Sequence, residues 1–360
     1  MNRSFLALAA TALLATAACG DDSTGSGRPF ILGTGDDGQV GLVVSSTGKT
    51  LTLFRVDDPA EMRVIPFGAS SSVTPTGLSV GGRRAAVPLG NAASVALVDL
   101  EELRIARFFL FPGGNATGSV FADDTTVLAA NFIDDYVGRF TVGQAGDSIT
   151  QRVSVAPAPT DLVMAGGRVV VVSSNLNAAY QPIGNGVVTF LDPRTLQVLG
   201  TAQTGGTNSG AAAVGPDGLV YVVNTGDYVG DGTVTIIDPQ TMRAEATVGG
   251  FGAGPGSIHI DARGLAYVSG FFTGTVVWNT RTRAFVRGVA NPVCAPLAGG
   301  GCRGAFDVST DVQGNVYQAF FGSASEGLAP YIFVYRPGTF ALADSVAAGN
   351  GPAAVEIRAF

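Results

Sequence analysis

Short apolar runs recur along this chain, separated by turns rich in Gly, Asp and Pro, and they recur in a fixed order. The clearest unit is Ala211–Gly249: an apolar strand, a Gly-Pro-Asp-Gly turn, a strand ending at Asn224, a loop, a strand ending at Asp238, a tight turn and a last strand. The runs are strand-length and bounded by turn residues, and no helical period intervenes. Four strands in this order make one blade of a propeller. The order repeats in Gly77–Leu103, Gly118–Val142, Leu162–Leu196, Ile258–Arg283 and Val308–Thr339.

These are six complete units, and the remainder is informative. Ala354–Phe360 reads as an inner strand with no blade after it, and Val40–Phe67 as outer strands with no inner strand before them. Together they make a seventh blade. The expected fold is therefore all-β: a propeller of seven four-stranded blades, closed by pairing N-terminal strands with the C-terminal strand. Closure removes the open sheet edge. A β-sandwich, the competing all-β fold, would not require the same four-strand unit at every repeat.

The second and third strands Val220–Asn224 and Val234–Thr241, with Leu265–Gly270 and Val276–Thr282, resemble the YVTN-type propeller repeat and, more loosely, NHL and streptogramin-lyase-like repeats. That resemblance implies the fold over nearly the whole mature chain. Such propellers include binding modules, scaffolds, lactonases and lyases, so function has to be argued from a site.

Composition narrows the partners. The formal net charge is -7 with no Lys/Arg cluster, so a phosphate backbone would be repelled and nucleic acid is not an expected partner. At the N-terminus, Arg3, the apolar run Phe5–Ala15 and the small residues before Cys19 read as a cleaved export signal. Thr16-Ala17-Ala18-Cys19 resembles the bacterial lipobox, with Thr16 where Leu is commoner, and implies acylation of Cys19; an ordinary cleavage after Ala18 is the alternative. The expected organisation is a signal peptide over 1–18, a polar lipid-anchored tether over 19–29 and one propeller domain over 30–360. The address is the bacterial cell envelope, with a lipid as the sole membrane anchor. An Asp directly after the anchor Cys would resemble the Gram-negative inner-membrane retention signal; Gly20 stands there instead, which favours the outer membrane where the source has one. Cys294 and Cys302, separated by a flexible spacer, are expected to form a disulfide in an oxidising compartment.

The repeated Asn131, Asn175 and Asn224 and Asp99, Asp192 and Asp238 fall at strand ends, where Asx side chains initiate turns, and read as structural. All the long loops join second to third strands or successive blades, on one face; Asn175–Gly186 and Thr225–Gly232 carry Tyr180 and Tyr228 as candidate binding residues. Alternatively, each ring packs on its own loop. One inner-strand position reads Ser79, Val120, Val163, Ala213, His259, Ser309 and Glu356, which makes His259 and Glu356 candidates for an acid/base pair or cation site. Asp161 and Asp307, at the start of their strands, are candidate ligands for Ca²⁺ or Mg²⁺. The structural alternatives are that His259 bonds within its blade, Glu356 caps the closing blade and the two Asp brace loops.

No nucleophile elbow, Walker-type loop or dinucleotide fingerprint occurs. The expected function is a non-catalytic envelope lipoprotein that binds a protein, peptide or glycan on its long-loop face. The alternative is a metal-dependent, lactonase-like hydrolase or lyase with its site at the channel mouth; a purely structural or assembly role is a third.

Overall fold

The computed structural model describes residues 30–31, 38–297, 300–322 and 327–360. The signal peptide, Cys19 and the tether over 19–29 lie outside them. The described residues form seven four-stranded antiparallel sheets, a seven-bladed β-propeller. The inner strands of blades 2 to 7 are Ser79–Gly81, Ala116–Asp123, Pro159–Ala165, Ser209–Val214, Pro255–Ile260 and Asp307–Thr310. Blade 1 is composite: Pro352–Ala359 supplies its inner strand and pairs with Gln39–Ser45, followed by Thr50–Arg55 and Met62–Pro66. Val43 lies opposite Val355.

Second strands such as Arg168–Ser173 and Val220–Asn224 are nearly continuous apolar runs because both of their faces are covered. Successive side chains point to opposite faces, so Val170 enters the wedge between blades 4 and 5 and Val171 that between blades 3 and 4. Among the described residues the buried core divides into seven clusters, one for each blade-to-blade wedge. In the wedge between blades 5 and 6, Trp278 is fully buried, with Tyr221 and Phe251 edge-on at 6.0 and 5.9 Å. Fourth strands such as Arg243–Val248 face solvent on the rim and carry polar residues.

The strand-end Asp residues make the expected turns, as Asn131 does with Ile133 and Asp134, but Asn224 instead donates to Thr233 and Thr235 Oγ1 inside its blade and Asn175 to the Asn185 carbonyl across its loop. Asp192 Oδ1 accepts from the backbone N–H of Arg194 and Thr195, Asp99 Oδ1 from Glu101 and Glu102, and Asp238 Oδ1 from Gln240. In each of the Asp turns the residue four positions on takes positive φ, at Leu103, Leu196 and Met242, and the chain reverses. The Asp99, Asp192 and Asp238 turns, between third and fourth strands, lie on one face of the ring. Cys294 and Cys302 are joined in a disulfide, with Cα atoms 5.5 Å apart, in the long connection on the opposite face.

Candidate functional site: the central channel and its aromatic mouth

The seven inner strands surround a channel that encloses about 510 Å³. Each inner strand enters from the long-loop face, so its first residues ring that mouth. Space there is short: a Cβ on Gly118 would lie 2.6 Å from the Thr160 carbonyl and 2.7 Å from the Asp161 Cα. The polar side chains that do fit reach sideways to the next blade. Thr76 Oγ1 donates to the Thr117 carbonyl at 2.8 Å, Thr117 Oγ1 to that of Pro159 at 2.8 Å, and Thr160 Oγ1 to that of Ser209 at 3.2 Å.

Asp161 and Asp307 continue this stapling. Asp161 Oδ1 accepts from its neighbour Leu162 N–H at 2.8 Å, and Oδ2 accepts from Ala212 N–H, one blade on, at 2.9 Å. Asp307 Oδ1 accepts from Ser257 Oγ, one blade back, at 2.5 Å, and Oδ2 accepts from Val355 N–H on the closing strand at 2.8 Å. Burial pushes both carboxyls up to about 6, opposed by these donors, and the charge of Asp307 adds to the shift at Asp161. Both acids therefore brace blades rather than loops, and each of their oxygens accepts one of these hydrogen bonds. Among the described residues no group of three or more His, Cys, Asp or Glu side chains assembles to hold a metal.

His259 and Glu356 are not joined to each other. His259 Nε2 bonds Thr310 Oγ1 at 2.8 Å, in the next blade rather than its own. Burial lowers its pKa to about 4, with nearby Asp261 pulling the other way, so the ring is neutral at physiological pH. Glu356 accepts from Arg358 Nε, two residues along the same strand, at 2.6 Å. Burial raises its pKa, and the Arg358 charge opposes the rise. Ser309 Oγ, at the equivalent position in blade 7, accepts from Ile357 N–H. The polar residues of this ring are thus chiefly interblade fasteners.

The long-loop mouth has a different character. Tyr180 and Tyr228 are 64% and 48% exposed, both at positive φ. Neither ring packs only on its own loop. Tyr180 of blade 4 stacks on Phe132 of blade 3, centroids 6.0 Å apart, and Tyr228 of blade 5 meets Phe271 of blade 6 at 6.2 Å. From Phe271 the contacts run on to Phe306 at 5.1 Å and to Phe321 at 5.2 Å. The result is an aromatic arc along blades 5 to 7 beside the channel, with Phe272 61% exposed next to it. Ile133, Ile183, Val229 and Val289 are also exposed on this face. The sequence reading missed the phenylalanines. Their signal is positional, because Phe132, Phe271 and Phe321 each follow the last residue of a second strand.

No protein family is matched by the sequence, and no curated protein is matched either. The fold has solved counterparts. A functionally unknown protein from Desulfotomaculum acetoxidans superposes with a TM-score of 0.66 at 13% identity, over 88% of this chain and 98% of that one. Hydrazine synthase from Kuenenia stuttgartiensis superposes with a TM-score of 0.62 at 13% identity, over 81% of this chain and 91% of that one. At that identity the likeness is one of architecture.

Proposed function

We propose that this chain is an exported, lipid-anchored propeller that binds a protein, peptide or glycan on its long-loop face and carries out no chemistry there. The observation that carries the reading is the aromatic arc from Tyr228 through Phe271 and Phe306 to Phe321, with Tyr180 and Phe132 beside it. Large rings on a rigid scaffold supply contact area at little entropic cost, and contiguous exposed apolar surface marks interaction sites. The opposite face is built of tight Asx turns and offers little comparable surface.

Export and anchoring rest on the sequence at Cys19 and on the Cys294–Cys302 disulfide, which suits an oxidising compartment. The lactonase-like alternative gains no support from the channel, where Asp161 and Asp307 spend their oxygens on neighbouring blades. The test is to compare capture of envelope components by the wild-type chain and by a Tyr180→Ala/Tyr228→Ala double variant. Loss of a component on substitution supports the reading; an unchanged capture profile overturns the assignment to this face.

A further inference from the structure

A second cavity, of about 340 Å³, opens on the long-loop face beside the channel mouth, and Phe271 and Phe306 form the wall between the two. Its other walls include Phe272, Phe320, Phe321 and Leu328. Arg303 lines this otherwise apolar pocket. Its guanidinium carbon lies 5.2 Å from the Phe320 ring centroid and 5.7 Å from that of Phe333. Seven other described arginines lie within 4.0 Å of a carboxylate, among them Arg55 with Asp57, Arg263 with Asp261 and Arg358 with Glu356. Among the described residues Arg303 has neither a carboxylate partner nor a side-chain hydrogen bond. Its guanidinium carbon lies over the two rings, and no hydrogen bond among the described residues uses the guanidinium N–H donors, which remain available to a ligand.

Arg303 is also held in place. It follows Cys302 of the disulfide, and its backbone N–H donates to the Ala295 carbonyl at 2.9 Å. On its other side, Gly304 runs so close to Phe271 that a Cβ would collide with that carbonyl. Such a site suits a planar, bidentate anion joined directly to an apolar or aromatic body.

We infer that this pocket receives the C-terminal residue of a polypeptide, its carboxylate on Arg303 and its apolar side chain among the phenylalanines. The charge complement selects a carboxylate, which a neutral glycan lacks, and a C-terminal residue carries its carboxylate and its apolar side chain on one Cα, within the span of so small a pocket. The exposed surface of Phe272 and Phe306 continues from the pocket and would receive the preceding residues. This inference rests on the long-loop face being the binding face and narrows its partner to a polypeptide terminus.

The test titrates the full chain with a fluorescently labelled peptide ending in Leu-Phe as the free acid, and with the same peptide as its C-terminal amide, read by anisotropy. The acid should bind roughly tenfold to a hundredfold more tightly, the usual margin for a bidentate charge-assisted contact. Arg303→Met, which keeps length and removes charge, should abolish the preference while the melting curve stays cooperative. Equal binding of acid and amide by the wild-type chain would overturn the pocket, whatever the variant does. If both then weakened in Tyr228→Ala, the long-loop face would stand without the pocket. Binding of N-acetylphenylalanine as tight as that of the peptide would overturn the polypeptide assignment in favour of a small aryl acid. If neither peptide bound, the pocket would fall, and the envelope capture experiment would decide separately whether the face falls with it.

Discussion

Asp307 ties blade 6 to the closing strand through a carboxyl held at about 6, against 3.8 for an ordinary Asp, and that shift fixes a pH dependence of stability. The folded state keeps the proton where the unfolded chain has released it. Its contribution is therefore fully present below about pH 4 and is lost as pH rises through about 6. Two pH units correspond to about 3 kcal/mol, and channel water reaching this half-buried side chain reduces the expected effect to about 1–3 kcal/mol. His259 has the opposite sign: lowered to about 4, it favours the folded state above about 6.5 and loses that contribution as pH falls through 4. The wild-type profile alone mixes the two, so the informative quantity is the difference between wild type and Asp307→Asn. Asn keeps an acceptor for Val355 N–H and cannot ionise. Urea unfolding at about pH 4.5 and about pH 8, followed by fluorescence of the single, fully buried Trp278, measures that difference. The variant should gain about 1–3 kcal/mol on wild type between the two conditions. Relief of Asp161, whose pKa the Asp307 charge also raises, acts in the same direction. Parallel stabilities, or a variant that loses ground as pH rises, would refute the reasoning.

Deleting Ala354–Phe360 removes the pairing with Gln39–Ser45 and buried Val355 and Ile357, each worth roughly 1.5–3 kcal/mol in burial alone. Differential scanning calorimetry should show the cooperative transition lost or lowered across the whole ring, not in one blade. Trp278→Ala should cost about 3–5 kcal/mol in urea unfolding, because the wedge between blades 5 and 6 cannot collapse around so large a void. Reducing the Cys294–Cys302 bond, or replacing Cys302 by Ser, should lower stability by about 2–3 kcal/mol, the scale for a short closed loop, with dithiothreitol having no effect on the variant. Cys19→Ala should move the protein from the membrane to the soluble fraction of a bacterial host; continued membrane retention would remove the lipid anchor from the proposal.

The architecture was legible because it is periodic. Strands bounded by Gly-Pro-Asp-Gly at 215–218 and by Asp192-Pro or Asp238-Pro repeat often enough that the incomplete units at Val40–Phe67 and Ala354–Phe360 identify each other. The disulfide was legible from spacing. The roles of Asp161, Asp307 and His259 were not, for a geometric reason. Inner strands shift register near their starts, as between Pro159 and Asp161 and between Pro255 and Ile258. An extra residue there re-aims the side chains of Asp161 and His259 toward the neighbouring blade, whereas Asp307 opens a strand in regular register. Sequence gives the residue type at a position but not this sideways turn, so blade fasteners resemble ligands. The pocket around Arg303 was hidden because its walls come from three separate connections, and only the ring brings them side by side.

The composite blade has a consequence for how the ring is assembled. Val43 and Val355 meet across nearly the whole folded sequence, and closing a flexible loop of that length costs about 5 kcal/mol beyond a fixed term. Stacking of the intervening blades brings Pro352–Ala359 back to Gln39–Ser45 and removes most of that search, so sealing belongs late in folding. Until that strand arrives, Gln39–Ser45 presents an unpaired edge, and the corresponding strand of a neighbouring copy offers it the same hydrogen bonds. Crowded refolding should therefore divide between sealed monomers and strand-exchanged assemblies, in a ratio set by concentration.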